Sequence, residues 1–311
     1  FPPVASPNPE EPSAMAMAIE KAKETGAEVV MASDPDADRI GLVIRDNNGE
    51  YVLINGNQIV MIFLNYLMTR NTELGTLTGN EYIVKTIVTT ETIRTIAEAQ
   101  HIKMYDCFTG FKWIANVMRE NEGKARYLGG GEESYGFLAE DFVRDKDSVS
   151  AISLMAEIAA WAKDKGLNMT DMLIDIYMKY GFSREKGISL VRKGKSGAEE
   201  IIALMKQFRE NPPKEIAGSP VVTIKDFQSL VETNVATGET KKLDMPATSN
   251  VLQYYTADRT KVSVRPSGTE PKIKFYIEVH DTLASADEYK ATEARADEKI
   301  NRIAKEFGIT K

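Results

Sequence analysis

The sequence is poor in three things at once: cysteine, histidine and net positive charge. A single cysteine, Cys107, cannot close an internal disulfide, so the fold has to be held by its core. That usage fits a reducing compartment, and a cytoplasmic setting is the expectation drawn from it. Cys107 has no neighbouring histidine in the sequence and reads as a packing residue. The two histidines, His101 and His280, sit in no recognisable motif. A net charge of -7 argues against a surface built for nucleic acid, which demands clustered lysine and arginine. A small anionic substrate is compatible with it, because a locally basic cleft can sit inside an acidic protein. No apolar run reaches the roughly 18 residues that a membrane-crossing helix needs. Phe1-Pro2-Pro3 shows neither the basic nor the apolar region of a signal peptide. The chain also opens in mid-pattern, and the expectation is a piece of a longer protein.

What is present is an ordered alternation of helix and strand signals. With 311 residues the chain has room for two or three domains at about 100–200 residues each. Ser13 reads as the N-cap of a helix over 14–23, with Gly26 just past its end. A β run at 29–31 leads into Asp34-Pro35-Asp36-Ala37-Asp38-Arg39, and a second β run follows at 40–44. Asn47-Asn48-Gly49 marks a hairpin turn with a return strand at 51–54. Helices are then expected over 59–68, 92–99, 113–119, 148–163 and 169–180, and strands over 82–88, 103–105 and 126–128. This alternation argues an α/β domain with a mostly parallel, doubly wound sheet. After Gly181 the style changes to strands at 189–191, 221–224, 251–255, 261–264 and 274–279, a helix over 199–209 and a closing amphipathic helix over 286–307. That is an α+β domain with an antiparallel sheet. The expected boundaries are 1–50, 51–182 and 183–311.

Three loops carry chemistry. In the first, Asp34, Asp36 and Asp38 alternate through a tight connection at the end of a strand, so three carboxylates can converge. Bare, they repel; a hard divalent cation such as Mg²⁺ relieves the conflict. An EF-hand is excluded, because its sixth and twelfth positions here are Arg39 and Arg45. A solvated acidic turn, or a haloacid-dehalogenase-type nucleophile at Asp34, stays open on spacing alone.

The second is Gly131-Glu132-Glu133-Ser134-Tyr135-Gly136, after a short strand, where carboxylate and hydroxyl groups suit sugar hydroxyls and glycine admits a ligand close to the backbone. Upstream, Thr109-Gly110-Phe111-Lys112 opens a helix, and Lys112 is the candidate proton acceptor or phosphate contact if it is partly buried among cations. Asp145-Lys146-Asp147 is noted without a role. The third loop, Arg265-Pro266-Ser267-Gly268-Thr269, offers a guanidinium fork, hydroxyls and backbone N–H groups as an anion nest.

Taken together, D-P-D-A-D-R, T-G-F-K, G-E-E-S-Y-G and R-P-S-G-T resemble, in order, the cleft motifs of the α-D-phosphohexomutases. The resemblance covers essentially the whole chain and looks most like the phosphoglucomutase branch. It implies the remnant of one α/β domain, a complete α/β domain and the final α+β domain. It implies that Asp34, Asp36 and Asp38 hold Mg²⁺ and that Arg39 and Lys112 serve the reacting group. Glu132 and Ser134 would bridge sugar hydroxyls, and Arg265, Ser267, Gly268 and Thr269 would grip the idle phosphate.

The partners implied are a hexose phosphate and a hexose 1,6-bisphosphate, with glucose preferred over mannose. A family's T-x-S-H-N-P phosphoserine loop is not found; Ser6-Pro7-Asn8-Pro9 is a partial match without the histidine. The expectation is therefore a fragment that lacks its phosphoserine domain and is inactive alone. A sugar-phosphate-binding module and a phosphopentomutase are the alternatives.

Overall fold

The computed structural model describes residues 4, 6–192, 194–268 and 270–309, leaving aside the side chain at 195. The chain forms two compact units, Phe1–Tyr180 and Gly181–Lys311.

In the first unit, helix α1 (Pro12–Thr25) starts with a proline in its first turn and Glu11, not Ser13, at the N-cap. The ring of Pro12 presets the helical φ, so the helix begins ahead of Ser13 and takes that residue inside. Gly26 ends it in the left-handed conformation (φ 72°), as expected. Strands β1 (Val29–Ser33), β2 (Ile40–Arg45) and β3 (Tyr51–Ile54) form an antiparallel meander. Ser33 faces Ile40 in the register, which makes the acidic segment the β1–β2 connection. The Asp46 carboxylate accepts the backbone N–H groups of Asn48 and Glu50 and shapes the second turn.

Helix α2 (Gly56–Leu74) begins earlier than the apolar run suggests, because Asn55 and Gln58 form a reciprocal capping box. The remaining elements are β4 (Glu81–Thr86), α3 (Thr92–Ala99), β5 (Lys103–Cys107), α4 (Phe111–Asn121), β6 (Arg126–Gly131), β7 (Phe137–Ala139), α5 (Ser148–Asp164) and α6 (Met169–Tyr180).

The second sheet of this unit has the order β5-β4-β6-β7. Its first three strands are parallel and β7 turns back antiparallel to β6. A core of Tyr82, Val84, Cys107, Ile114, Val117, Met118, Tyr127 and Leu138 joins this sheet to α4. Cys107 lies inside it, and burial pushes its thiol pKa up. Phe63 of α2 stacks on Phe137 at 4.2 Å.

The glycine run has a packing cause. A Cβ at Gly130 would stand 2.6 Å from the Val84 carbonyl, and one at Gly131 would stand 2.7 Å from Val60 Cγ2. Both glycines belong to strand β6, so they admit neighbouring protein rather than a ligand.

The second unit contains β8 (Phe182–Val191), α7 (Gly194–Glu210), β9 (Glu215–Ile216), β10 (Ser219–Asp226), β11 (Val231–Asn234), β12 (Thr240–Lys242), β13 (Leu252–Thr256), β14 (Lys261–Pro266), β15 (Lys272–Asp281) and α8 (Tyr289–Glu306). Its sheet runs β12-β11-β10-β13-β14-β15-β8, antiparallel throughout, with β9 on β10. Phe208 of α7, Phe275 of β15 and Phe307 after α8 pack with centroids 5.7–6.0 Å apart and join the helices to one face. Arg184 of β8 is clamped by Glu293 and Asp297 of α8. The closing helix starts as a 3-10 turn (Ala286–Glu288) and becomes α-helical at Tyr289. The fold class is thus as read: a unit with a parallel α/β sheet, then an α+β unit on an antiparallel sheet. Among the described residues no helix is long and apolar enough to cross a membrane.

Candidate active site

The acidic connection is organised from inside by its first carboxylate. Asp34 Oδ1 accepts the backbone N–H groups of Asp38 and Arg39, both at 3.0 Å. The Asp34 carbonyl accepts from Ala37, which sits at a positive φ of 57°. The loop is tied at its flank too, since Ser148 N–H donates to the Ala37 carbonyl and the Ser33 and Ser148 hydroxyls meet at 2.5 Å.

Asp36 is exposed, while Asp38 turns to Lys146, whose Nζ lies 2.7 Å from Oδ2. The three carboxylates therefore do not converge as the spacing suggests: among the described residues no three acidic, His or Cys side chains lie close enough to hold a metal ion. Asp34 turns Oδ1 to the backbone and Asp38 turns Oδ2 to an ammonium.

The second loop is fastened to the first. Arg39 and Gly136 form an isolated antiparallel bridge, and Ile40 N–H donates to the Tyr135 carbonyl. The N-terminus of α2 closes on the same loop: Gly56 lies so near the Glu133 carbonyl and the Tyr135 N–H that no side chain fits there.

Glu132 is 5% exposed and accepts the Gly110 N–H at 2.7 Å. Burial first, and the adjacent Glu133 second, push its pKa up to about 7, against the pull of the Gly110 bond. Glu133 is held by the hydroxyls of Thr86 and Thr89. Ser134 is half-buried beside it. Asp34, Asp36, Asp38, Arg39, Glu132 and Ser134 thus lie on two strapped loops.

The lysines redistribute. Lys112 is exposed, with its ammonium 5.5 Å from the Trp113 ring, so the expected partial burial among cations is not met. It follows Phe111, the first residue of α4, and points its stem outward while Phe111 takes the core position. Lys146, left without a role in the sequence, has the partly buried side chain (17% exposed) and the carboxylate contact. Burial works against its charge, yet the bond and field of Asp38, with Asp145 and Glu132 behind it, hold the ammonium above the ordinary lysine range.

Behind the loop, fully buried Lys85 pairs with Glu91 and Asp106, each at 2.9 Å, and Arg94 pairs with the same two carboxylates. A lysine inside the apolar strand Tyr82-Ile83-Val84-Lys85 was the available signal for this cluster. Arg39 Nε is buried with no hydrogen-bond partner, and stands 3.8 Å from Asp38 Oδ1. A buried donor left over in this way suits an incoming oxyanion.

In the second unit, the R-P-S-G-T segment turns the β14–β15 hairpin. Arg265 is half-buried opposite Lys274. Ser267 N–H donates to the Lys272 carbonyl at 2.7 Å and its hydroxyl accepts from Glu270 N–H at 3.3 Å. Those bonds close the turn. Gly268 is exposed with open space around its Cα, and Thr269 lies outside the described residues.

Three models of one family match in order along the chain: phosphoglucomutase/phosphomannomutase α/β/α domain II over 1–49, α/β/α domain III over 55–180 and the C-terminal domain over 225–296. The chain belongs to the phosphoglucomutase/phosphomannomutase family.

Among curated relatives, the phosphoglucomutase of Staphylococcus epidermidis is 37% identical over 277 residues, taking in 89% of this chain and 50% of that protein. The phosphoglucomutase of Staphylococcus haemolyticus is 34% identical over 280 residues, with 90% and 50% covered. The chain thus spans about half the length of the curated relatives it matches. Two solved structures share the fold. The phosphoglucomutase parafusin of Paramecium has a TM-score of 0.60 at 19% identity, covering 92% of this chain and 48% of its own. A phosphoglucomutase/phosphomannomutase family protein of Burkholderia thailandensis has a TM-score of 0.61 at 19% identity, covering 98% and 52%.

For a phosphoglucomutase/phosphomannomutase the donor set at the acidic loop is all carboxylate oxygen, which fits a hard divalent cation. Asp34 keeps Oδ2 after its backbone bonds, Asp36 is open to solvent, and Asp38 gives Lys146 one oxygen, Oδ2.

Proposed function

We propose that the chain is the C-terminal part of an enzyme that interconverts hexose 1-phosphate and hexose 6-phosphate through a hexose 1,6-bisphosphate, glucose preferred over mannose. The single observation that carries this reading is the Arg39–Gly136 bridge, which fastens the acidic loop to the sugar-type loop. Charge for a phosphoryl group and oxygen ligands for sugar hydroxyls are then offered side by side. The domain limits 1–50, 51–182 and 183–311 belong to the same reading, as does a phosphoserine donor lying outside this chain.

Each role follows from chemistry present at the residue. Arg39 donates its unpartnered Nε to a phosphoryl oxygen. Glu132, able to accept or donate near neutrality, and Ser134 bond adjacent sugar hydroxyls. Arg265, Ser267, Gly268 and Thr269 hold the phosphate that is not transferred. Lys112 takes the proton-acceptor or phosphate-contact role at the start of α4, and Lys146, held as an ammonium by Asp38, supplies positive charge at the acidic loop. Asp34, Asp36 and Asp38 would hold Mg²⁺, which when bound supplies positive charge against the developing charge of phosphoryl transfer.

The test is calorimetric binding of glucose 1,6-bisphosphate to the chain, alongside a coupled mutase assay. Binding that weakens about tenfold or more in Arg39→Ala and in Arg265→Ala, with no turnover, is expected. Unchanged binding in both variants overturns the site, and turnover abolished by Ser6→Ala overturns the external donor.

A further inference from the structure

Lys146 reaches Asp38 by an unusual route. It does not stand on the acidic loop; it comes from the segment between β7 and α5, and its stem lies across Gly136. A Cβ on Gly136 would be 2.5 Å from Lys146 Cδ, so the absence of a side chain there is what opens the channel to Asp38. The same segment is pinned to the loop twice more, by the Ser148 N–H bond to the Ala37 carbonyl and by the Ser33–Ser148 hydroxyl contact. At the end of this path the ammonium sits 2.7 Å from Asp38 Oδ2 and 3.5 Å from Asp145. The ammonium is therefore a monovalent positive charge delivered to the carboxylate that a divalent cation would need.

We infer that Lys146 is an exchangeable counter-ion of the acidic loop: it neutralises Asp38 until a divalent cation displaces it, and the displacement frees its ammonium beside Glu132. The inference rests on the reading of Asp34, Asp36 and Asp38 as cation ligands. Its physical basis is competition. Two cations cannot share one carboxylate oxygen at contact distance without strong mutual repulsion. Lys146 takes Oδ2 alone, so a cation bound through Oδ2 must displace the ammonium and one bound through Oδ1 must bear its repulsion, and either cost appears as weakened affinity. Asp34 carries no such cost, because its backbone bonds use Oδ1 alone. The geometry also supplies a destination for the freed ammonium, since Asp145 stands 3.5 Å from it and the stem already lies against Gly136 of the Glu132 loop.

The experiment is Mn²⁺ titration of the chain, followed by electron paramagnetic resonance of free Mn²⁺ and by calorimetry, so that no turnover is needed. Lys146→Gln is expected to bind Mn²⁺ roughly tenfold tighter than the unsubstituted chain, with Lys146→Arg close to unsubstituted. Gly136→Ala, which dislodges the stem while keeping the lysine, is expected to move in the direction of Lys146→Gln. Equal or weaker Mn²⁺ binding in Lys146→Gln, with melting temperature preserved, overturns the inference. The underlying metal reading fails separately: Mn²⁺ binding that is insensitive to Asp36→Asn and Asp38→Asn in every background places the cation elsewhere.

Discussion

Gly110 and Glu132, 22 positions apart, meet through a 2.7 Å bond from backbone N–H to carboxylate, and this bond joins the start of α4 to the sugar-type loop. With the charges of Lys146 and Arg39, it favours a carboxylate that burial otherwise holds near neutrality. The predictions below begin from that balance.

The Glu132 pKa is raised in the folded chain to about 7 from an ordinary 4.5. The folded state thus binds more protons than the unfolded one between those values. This contribution to stability is complete below about pH 4.5 and is lost as pH rises through about 7. Glu132→Gln should remove that slope. Urea unfolding at pH 5 and pH 8 checks it: the drop in stability across the window, at most about 3 kcal/mol, should shrink in the variant.

Asn55→Ala should cost about 1 kcal/mol, because it deletes the half of the capping box in which Gln58 N–H donates to Asn55 Oδ1, while the bond from the Asn55 backbone N–H to the Gln58 side chain stays. Denaturant unfolding should show a lower midpoint and an unchanged slope.

Gly130→Ala should destabilise by roughly 1–3 kcal/mol, since the new methyl meets both the Val84 carbonyl and the Tyr127 hydroxyl inside 3 Å. A melting-temperature measurement decides it. Gly123→Ala, where nothing lies within 4 Å but φ is 68°, should cost less than that and only through backbone strain.

Lys85→Met should be tolerated better than a usual broken buried pair, which costs about 3–5 kcal/mol. Arg94 already reaches Glu91 and Asp106 and keeps both carboxylates paired. Lys85→Met combined with Arg94→Met should therefore destabilise by clearly more than the sum of the two single changes, a coupling that a double-mutant cycle reads directly.

The elements that were legible in the sequence are those with a local cause. Helices α3 and α6 fall at 92–99 and 169–180 as the apolar spacing indicates, and the turn at Asn47-Asn48-Gly49 is set by its own residues. The elements that were not legible depend on partners distant in the chain. Strand β7 is three residues long and exists because β6 offers it an edge. Strands β11 and β12 are largely polar, the first mostly half-buried and the second exposed, so no alternating pattern marks them.

The same division holds at the candidate site. By itself the sequence determined the family motifs, their order and the inventory of side chains: three aspartates and an arginine in one loop, Glu132 and Ser134 in another, Arg265 in a third. Those are short-range facts, written in consecutive residues. Only the tertiary structure decided how each group is occupied. Lys146 sits 108 positions after Asp38 and takes its carboxylate, Gly110 reaches Glu132, and Lys112 turns away. The reason is physical: ion pairing and desolvation depend on distance and burial in space, and for charges far apart in the chain only packing sets either quantity.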